Sequence, residues 1–171
     1  MTIVSRRILV QLLGKSDLAL ERAKSMAEIM AAHGALVRVF RSVMGEDAGN
    51  IEIMARFSNF TEGSKVNSAI AMDPKAQKLW QEREKNPAAH VHGPYVYRMI
   101  FGEATPQPVI MRRLYQVERN HLKDAIAMLP EARAAIHKDT GMLAVIPSIA
   151  PDMNQLSIAY YADSLEQMGQ N

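Results

Sequence analysis

Short apolar runs separated by polar turns predict the strands in the first half of the chain. Residues 7–14 and 35–43 are largely apolar, and residues 51–58 alternate between apolar and polar positions. Runs of this length and pattern are typical of strands. The stretch 90–102 begins with two histidines, alternates in the same way and predicts a fourth strand.

Helical spacing and capping residues predict the helices between these strands. The apolar positions of the first helix recur every three or four residues, at Leu20, Ala23, Ala27 and Met30. Ser16 is its predicted N-cap and Gly34 its predicted end. Asn59 with Glu62 resembles a capping box, and Asp73 followed by proline predicts another helix start. The order β-α-β-β-α-β is the ferredoxin-like pattern.

The pattern starts again after a short segment rich in proline. Three further runs predict strands, at residues 109–118, 142–149 and 156–163. Asn120 is the predicted cap of a helix that is interrupted near Pro130 and ends at Gly141. A second capping box at residues 163–166 predicts the start of a last helix.

These elements predict an α+β protein with two ferredoxin-like units. The first unit spans residues 1–102 with the order βαββαβ, and residues 103–108 form a linker. The second unit spans residues 109–171 with the order βαββ, so it lacks the last helix and strand of the first. Together the two units are expected to form one compact domain.

The two units look like an internal repeat. A shift of 105 residues places Ile51 on Leu156. At the first strand the same shift aligns an R-x-L-x-Q pattern that begins at Arg7 with one that begins at Arg112. A shared order of elements with a nearly constant shift indicates a duplicated unit.

Composition excludes several classes of function. The chain has no cysteine, so thiolate catalysis, disulfides and cysteine-based metal sites are ruled out. The net charge of +2 does not favour nucleic acid or an anionic membrane as a partner. The apolar run after Arg6 and Arg7 ends at Gly14 without a signal-peptide cleavage site, and no segment has the length of a membrane span. A cytoplasmic location is therefore expected.

The polar faces of the strands predict where a ligand would bind. Ile8, Val10 and Leu12 are predicted to pack on the helices, which leaves Arg7 and Gln11 on the opposite face of the first strand. The residues predicted to bind a ligand on such faces are Arg7, Gln11, Glu52, Arg56, Tyr95, Tyr97, Arg98, Arg112 and Gln116. Either Arg98 or the two tyrosines face inward, because neighbouring strand residues point to opposite sides. A mainly apolar surface with arginines suits a small anionic ligand.

An alternative explains the same residues without a ligand. Arg7, Arg56, Arg112 and Glu52 could pair with one another across the sheets, as buried charges often do. His90 and His92 lie on one side of a strand and could hold a metal, but no third ligand accompanies them. No metal and no cofactor is therefore predicted.

In its element order and its repeat the chain resembles the dimeric α+β barrel superfamily. That group includes antibiotic-biosynthesis monooxygenases, EthD-like and NIPSNAP-like proteins and stress-responsive barrel proteins. The resemblance covers nearly the whole chain and implies antiparallel sheets packed as an α+β barrel. Because the second unit is short, a homodimer is expected to cover the open sheet edge.

The resemblance leaves two functions open. One is a small-molecule-binding protein, with a cofactor-independent monooxygenase-like or isomerase-like activity on a small aromatic or anionic compound. In that role arginines would hold the anion, and His92 or Tyr161 would transfer a proton. The alternative is a non-catalytic, oligomerising structural or stress-associated barrel protein with an ion-paired interior.

Overall fold

The computed structural model describes residues 1–169, which form two compact units. The first unit is Met1–Val96 and the second begins at Tyr97, so the division falls inside one long strand. The observed order of strands and helices is the predicted one in both units. No helix among the described residues is long and apolar enough to cross a membrane.

The first unit packs three helices on one sheet. Its elements are β1 (Ile3–Gln11), α1 (Ser16–Ala32), β2 (Leu36–Arg41), β3 (Ile51–Phe57), α2 (Phe60–Met72), α3 (Pro74–Lys85) and the first part of β4 (Ala89–Gly102). The strands lie in the order β2-β3-β1-β4, with β3 antiparallel to both β1 and β2. This is the βαββαβ order of a ferredoxin-like unit, with α2 and α3 as two consecutive helices.

The second unit continues from the end of β4. Its elements are β5 (Val109–Gln116), a 3₁₀ turn (Arg119–His121), α4 (Leu122–Ala127), α5 (Leu129–Ala134), β6 (Gly141–Ile149), β7 (Gln155–Ala162) and α6 (Leu165–Gly169). Its strands lie in the order β4-β6-β7-β5, and β7 is antiparallel to both neighbours. Pro130 lies in the first turn of α5, where the predicted helix is interrupted.

Two of the predicted helix caps are correct and three are wrong. The side chains of Asn59 and Asp73 accept hydrogen bonds from backbone N–H groups in the first turns of α2 and α3. Ser16 is already the first residue of α1, and its hydroxyl instead accepts a hydrogen bond from Arg41. Asn120 lies inside the 3₁₀ turn before α4 and does not cap that helix.

The capping box predicted at residues 163–166 is displaced by one residue. The hydroxyl of Ser164 accepts a hydrogen bond of 3.1 Å from the backbone N–H of Gln167. The side chain of Gln167 in turn accepts a hydrogen bond of 2.8 Å from the backbone N–H of Asp163.

The core of the first unit corrects the predicted faces of β1. Leu9 is buried in the core beneath the helices, and it pairs with Ile51 of β3, which is fully buried there. Arg7 pairs with Ile53 of the same core face, so Arg7 also lies on the helix side. The prediction that Ile8, Val10 and Leu12 contact the helices is therefore wrong.

The strand pairing within each unit also corrects the predicted alignment of arginines between the two units. Arg7 pairs with Ile53 in the first unit, and Arg113 pairs with Ile158 in the second. Ile53 and Ile158 are related by the shift of 105, so the residue that matches Arg7 is Arg113. The alignment of Arg7 with Arg112 was wrong by one residue, which places the two on opposite faces. The duplication itself stays a prediction.

Candidate functional site

A cavity of about 110 Å³ lies between the sheet and the helices of the first unit. Its wall is mainly apolar and is built from β1, α1, β3, α2, α3 and β4. The main apolar lining residues are Leu9, Met26, Met30, Ile53, Ile70 and Leu79. Cavities of this kind, apolar with a few polar groups, are typical of small-molecule sites.

Three arginines and the single tryptophan of the chain complete the wall. Arg7 comes from β1, Arg22 from α1, and Trp80 and Arg83 from α3. Arg22, Met26 and Met30 are spaced by four residues, so one face of α1 supplies all three. None of the described residues that line this cavity is acidic, so its wall carries a positive charge.

Arg7 is the most unusual of these arginines. It is partly buried, and its Nη1 lies 3.8 Å from the sulfur of Met30. Its Nη2 lies 3.5 Å from the Oδ1 of Asn67, a long and weak hydrogen bond. Burial lowers the pKa of Arg7 below its ordinary value. Within residues 1–169, Arg7 forms no ion pair with a carboxylate.

The other two arginines differ from Arg7 in exposure and bonding. Arg22 donates hydrogen bonds of 2.6 Å and 3.3 Å to the backbone oxygens of Asn86 and Glu82, at the C-terminal end of α3. Its guanidinium therefore caps that helix end, where a positive charge is favourable. Arg83 is exposed in the last turn of α3.

The opposite face of the first unit carries a different arrangement. Arg6 donates two hydrogen bonds of 2.8 Å to the carboxylate of Glu52. A third contact of 3.3 Å joins Arg6 to Asp47 in the connection between β2 and β3. Glu52 was predicted to pair with an arginine or to bind a ligand, and its arginine partner here is Arg6.

The remaining predicted residues of the first unit lie outside the described cavity. Arg56 is on the same side of β3 as Glu52, opposite the helices, as predicted. Gln11 donates a hydrogen bond to the backbone oxygen of Gly49. His90 and His92 are exposed on β4. Among the described residues no group of three or more potential ligands could hold a metal ion.

The faces of β4 follow from the two core residues on either side of Arg98. Val96 packs against the core of the first unit, and Ile100 packs against the core of the second. Alternation therefore places Arg98 on the side of the helices and Tyr95 and Tyr97 on the opposite side.

The second unit places three predicted residues on the side of the sheet away from its helices, and these are Arg112, Gln116 and Tyr161. Arg112 pairs with Ala159, and Tyr161 is 4% exposed beside the buried core residue Tyr160. Tyr160 packs in the helix-side core and Tyr161 faces away from it, as predicted for adjacent residues of a strand. Gln116 donates a 2.6 Å hydrogen bond to Asp152, and this bond lowers the pKa of that carboxyl group.

Sequence reasoning missed most of the cavity wall. Of the nine predicted ligand-binding residues, Arg7 alone appears in it, and Arg22, Trp80 and Arg83 were not predicted. The lysines and glutamates of α3 are typical of a solvated helix face, so they gave no indication of a cavity. The signal that was available is the spacing of Arg22, Met26 and Met30, which puts a charge on the apolar side of α1.

Comparison with known proteins supports the fold. No protein-family model matches the sequence, and no relative is found among curated proteins. A proposed monooxygenase from Fusobacterium nucleatum has a similar structure, with a TM-score of 0.68 at 8% identity over 99% of this chain and 79% of that one. A proposed monooxygenase from Lactobacillus acidophilus gives a TM-score of 0.61 at 11% identity over 99% and 81% of the two chains.

A third similar structure is chlorite dismutase from Candidatus Nitrospira defluvii in complex with imidazole. Its TM-score is 0.54 at 12% identity, over 98% of this chain and 79% of that one. A structural similarity at such low sequence identity is informative about the fold alone. It confirms the predicted resemblance at the level of the fold. The chain therefore has the ferredoxin-like α+β fold that these proposed monooxygenases and chlorite dismutase share.

Proposed function

We propose that this protein binds a small anionic compound in the cavity that contains Arg7. The observation that carries the proposal is the partly buried guanidinium of Arg7, which has no carboxylate partner among the described residues and borders an apolar cavity. A charge in such a place is costly unless another charge or several hydrogen bonds compensate for its lost hydration. An anionic group on a ligand would supply that compensation.

The chemistry of arginine suits this role. A guanidinium presents N–H donors in a planar fork that matches a carboxylate, and it is less strongly hydrated than an ammonium group. Met30 and Asn67 occupy the guanidinium with only long contacts, so a carboxylate would find stronger hydrogen bonds available. Arg83, exposed in the same wall, adds positive charge that attracts an anion toward the cavity.

The size of the cavity limits the ligand. About 110 Å³ is somewhat less than the roughly 150 Å³ of a dry protein cavity that accommodates benzene. A compound of one ring, or of five to eight non-hydrogen atoms on the order of that volume, would therefore fill it. Larger compounds would have to project from the cavity into solvent.

Catalysis is a separate part of the proposal. On a bound compound the fold would support a cofactor-independent monooxygenase-like or isomerase-like step, as its likeness to proposed monooxygenases suggests. Of the two predicted proton-transfer groups, Tyr161 belongs to the second unit and does not line this cavity, whereas the exposed His92 follows the lining residue Val91 on β4. Loss of turnover of a bound carboxylate in His92→Ala, with its affinity unchanged, would support a role for His92.

The alternative function also has an observation in its favour. The Arg6–Glu52 pair is the kind of buried ion pair expected for a non-catalytic barrel protein that forms homodimers. That alternative predicts a dimer in light scattering and no response to any small carboxylate. A carboxylate that binds through Arg7 would contradict it.

The test uses the fact that Trp80 is the only tryptophan and lies in the cavity wall. Its fluorescence is measured while butyrate, pentanoate or cyclobutanecarboxylate is added, each against the alcohol of the same carbon skeleton. We expect each carboxylate to bind at least about tenfold more tightly than its alcohol, because a charge-assisted pair with Arg7 contributes about 1.5–3 kcal/mol.

Two variants make the test specific. Arg7→Met should remove the preference for the carboxylate, because methionine keeps much of the length of the side chain but not its charge. Arg119→Met removes an exposed arginine of the second unit and should leave binding unchanged. Equal binding of carboxylates and alcohols by the unaltered protein would overturn the proposed function.

A further inference from the structure

Two of the three arginines in the cavity wall have guanidinium groups without a strong partner. Within residues 1–169, the side chain of Arg83 forms no hydrogen bond and no ion pair, and Arg7 forms only its long contacts with Met30 and Asn67. Arg22 differs, because it already donates two hydrogen bonds to backbone oxygens at the end of α3. The wall therefore presents two separate positive charges to a ligand.

These two arginines come from different layers of the first unit. Arg7 lies in β1 and is partly buried, whereas Arg83 lies in the last turn of α3 and is exposed. Arg7 therefore belongs to the sheet side of the cavity, and Arg83 belongs to its helix side, nearer to solvent. A ligand that fills the cavity can contact both, because both side chains border the same space.

The rest of the wall has no group that compensates these charges. Apart from Trp80 and the arginines, every described lining residue is aliphatic or a methionine. Glu82, which precedes Arg83 in the sequence, lies 3.9 Å from Lys78 instead. Water hydrates an exposed arginine, but Arg83 also borders an apolar cavity that already holds one guanidinium. A single carboxylate on Arg7 would leave this second charge without an anion.

We propose that the ligand of this cavity is a short aliphatic dicarboxylate, held by Arg7 at one carboxylate and by Arg83 at the other. The inference rests on the proposed binding of a small anion at Arg7 and specifies the class of that anion. Each guanidinium presents N–H donors in a planar fork that matches a carboxylate. The hydrocarbon chain between the two carboxylates would lie against the aliphatic part of the wall.

The size of the cavity sets the length of this chain. Succinate has about eight non-hydrogen atoms, the upper end of the range that fits a cavity of about 110 Å³. Glutarate is longer by one methylene group, so its outer carboxylate would project toward solvent, where Arg83 is exposed. We therefore expect a chain of about four or five carbon atoms and weaker binding of longer dicarboxylates.

The experiment compares acids of equal carbon number that carry one or two carboxylates, butyrate with succinate and pentanoate with glutarate. Affinities for the full-length protein are measured from Trp80 fluorescence at about pH 7, where all the carboxyl groups are ionised, and are checked by titration calorimetry. We expect succinate, glutarate or both to bind at least about threefold more tightly than the matching monocarboxylate, because a second charge pair forms. Apolar burial alone predicts the opposite order, because a carboxylate in place of a terminal methyl group loses hydration.

The variants Arg83→Met and Lys85→Met separate a local charge pair from general positive charge. Both remove an exposed positive charge from the last turn of α3, but Lys85 is not among the described residues that line the cavity. Arg83→Met should reduce the preference for the dicarboxylate to a ratio of about one or less, with the affinity for butyrate changed by less than about twofold. Lys85→Met should leave the ratio unchanged. A ratio that is unaltered in Arg83→Met, or that falls equally in both variants, would contradict a pair with Arg83.

The outcomes distinguish this inference from the function on which it rests. If none of the carboxylates binds better than the matching monoalcohol, the proposed function fails and the inference fails with it. If butyrate and pentanoate bind through Arg7 but neither dicarboxylate binds more tightly, the anion site stands and the dicarboxylate class is overturned. Preferred binding of succinate or glutarate that requires both Arg7 and Arg83 supports both.

Discussion

Arg6 and Glu52 form a doubly hydrogen-bonded ion pair on the face of the first sheet that lies away from its helices. Both bonds are 2.8 Å long, and the two side chains are 10% and 4% exposed. The neighbour of Arg6 along β1, Arg7, lies on the helix side and forms no ion pair with an acid in residues 1–169. Two consecutive arginines therefore serve different purposes, one in an internal ion pair and one in a cavity wall.

We expect a large loss of stability when the carboxylate of the Arg6–Glu52 pair is removed. Glu52→Gln should lower the free energy of unfolding by about 3 kcal/mol, because the buried charge of Arg6 then loses the carboxylate to which it donates two hydrogen bonds. Urea denaturation followed by circular dichroism measures the change.

Two further variants control this prediction. Glu62→Gln breaks an ion pair with Lys65, whose side chains are 46% and 68% exposed, and should cost no more than about 0.5 kcal/mol. Replacing Arg6 and Glu52 together by leucine should recover most of the loss, because no unpaired charge is left in the interior. If Glu52→Gln and Glu62→Gln lowered the free energy of unfolding equally, burial of the Arg6–Glu52 pair would have no effect on stability.

Arg7 and Arg113 should respond differently to the same substitution. Without ligand, Arg7→Met should leave the free energy of unfolding unchanged or raise it by about 1 kcal/mol, because it removes a partly buried charge that lacks an acid partner. Arg113→Met should lower it by about 0.5–1 kcal/mol through loss of the contact with Tyr160. Thermal or urea unfolding compares the two variants, and a larger loss for Arg7→Met would indicate that Arg7 is structural.

The order of elements could be predicted because it depends on local signals. Asn59 and Asp73 cap their helices through side chains only two or three residues away from their partners, so the caps can be read from neighbouring residues. The prediction for Ser16 failed because its hydroxyl is used by Arg41, a residue 25 positions away. A competing contact between residues so far apart in the sequence cannot be recognised from the local sequence.

The buried side of β1 could not be predicted from alternation. Its helix side carries Ser5 and Arg7 among the apolar residues, while the other side carries Ile8 and Val10. The more apolar face in the sequence is thus not the face that meets the helices. The register in which β1 pairs with Ile51 and its neighbours on β3 decides which side of β1 faces the helices. The sequence does not specify that register.

The cavity was missed for a related reason. Its polar residues come from α1 and α3 as well as β1, and helix charges such as Arg22 and Arg83 look like solvated residues in the sequence. How far α1 and α3 stand from the sheet depends on side-chain packing across the whole unit. The sequence thus predicted that Arg7 lines a cavity, but it placed that cavity on the wrong side of the sheet.

The contact between His33 and Asp73 predicts a dependence of stability on acid. His33 at the end of α1 lies 2.8 Å from the Oδ2 of Asp73, which also caps α3 through the N–H of Lys75. The hydrogen bond with His33 is the largest cause that lowers the pKa of Asp73 from its ordinary value of 3.8. The unfolded chain therefore takes up this proton at a higher pH than the folded protein does.

It follows that the stabilisation is complete above about pH 5 and is lost as the pH falls through the pKa of the folded protein. Asp73→Asn keeps a side chain that can cap α3 but removes the titrating group, so its urea midpoint should fall less steeply between about pH 5 and pH 2. His33→Gln should flatten the profile in the same direction. Parallel profiles for all three proteins would exclude this contact as a source of acid sensitivity.

Gly102 at the end of β4 is predicted to tolerate no side chain. Its φ of +68° is in the left-handed region, and an added Cβ would collide with the backbone oxygen of Met142, which accepts a 3.1 Å hydrogen bond from Glu103. Gly14 has a similar φ of +72° but no atom within 4 Å of an added Cβ.

Gly14→Ala should therefore lower the free energy of unfolding by about 1–2 kcal/mol, the cost of the backbone conformation alone. Gly102→Ala should cost at least about 3 kcal/mol, because that strain adds to a collision with a hydrogen-bonded backbone. Urea denaturation of both variants measures the difference, and equal losses would mean that β4 and β6 can separate at this point without cost.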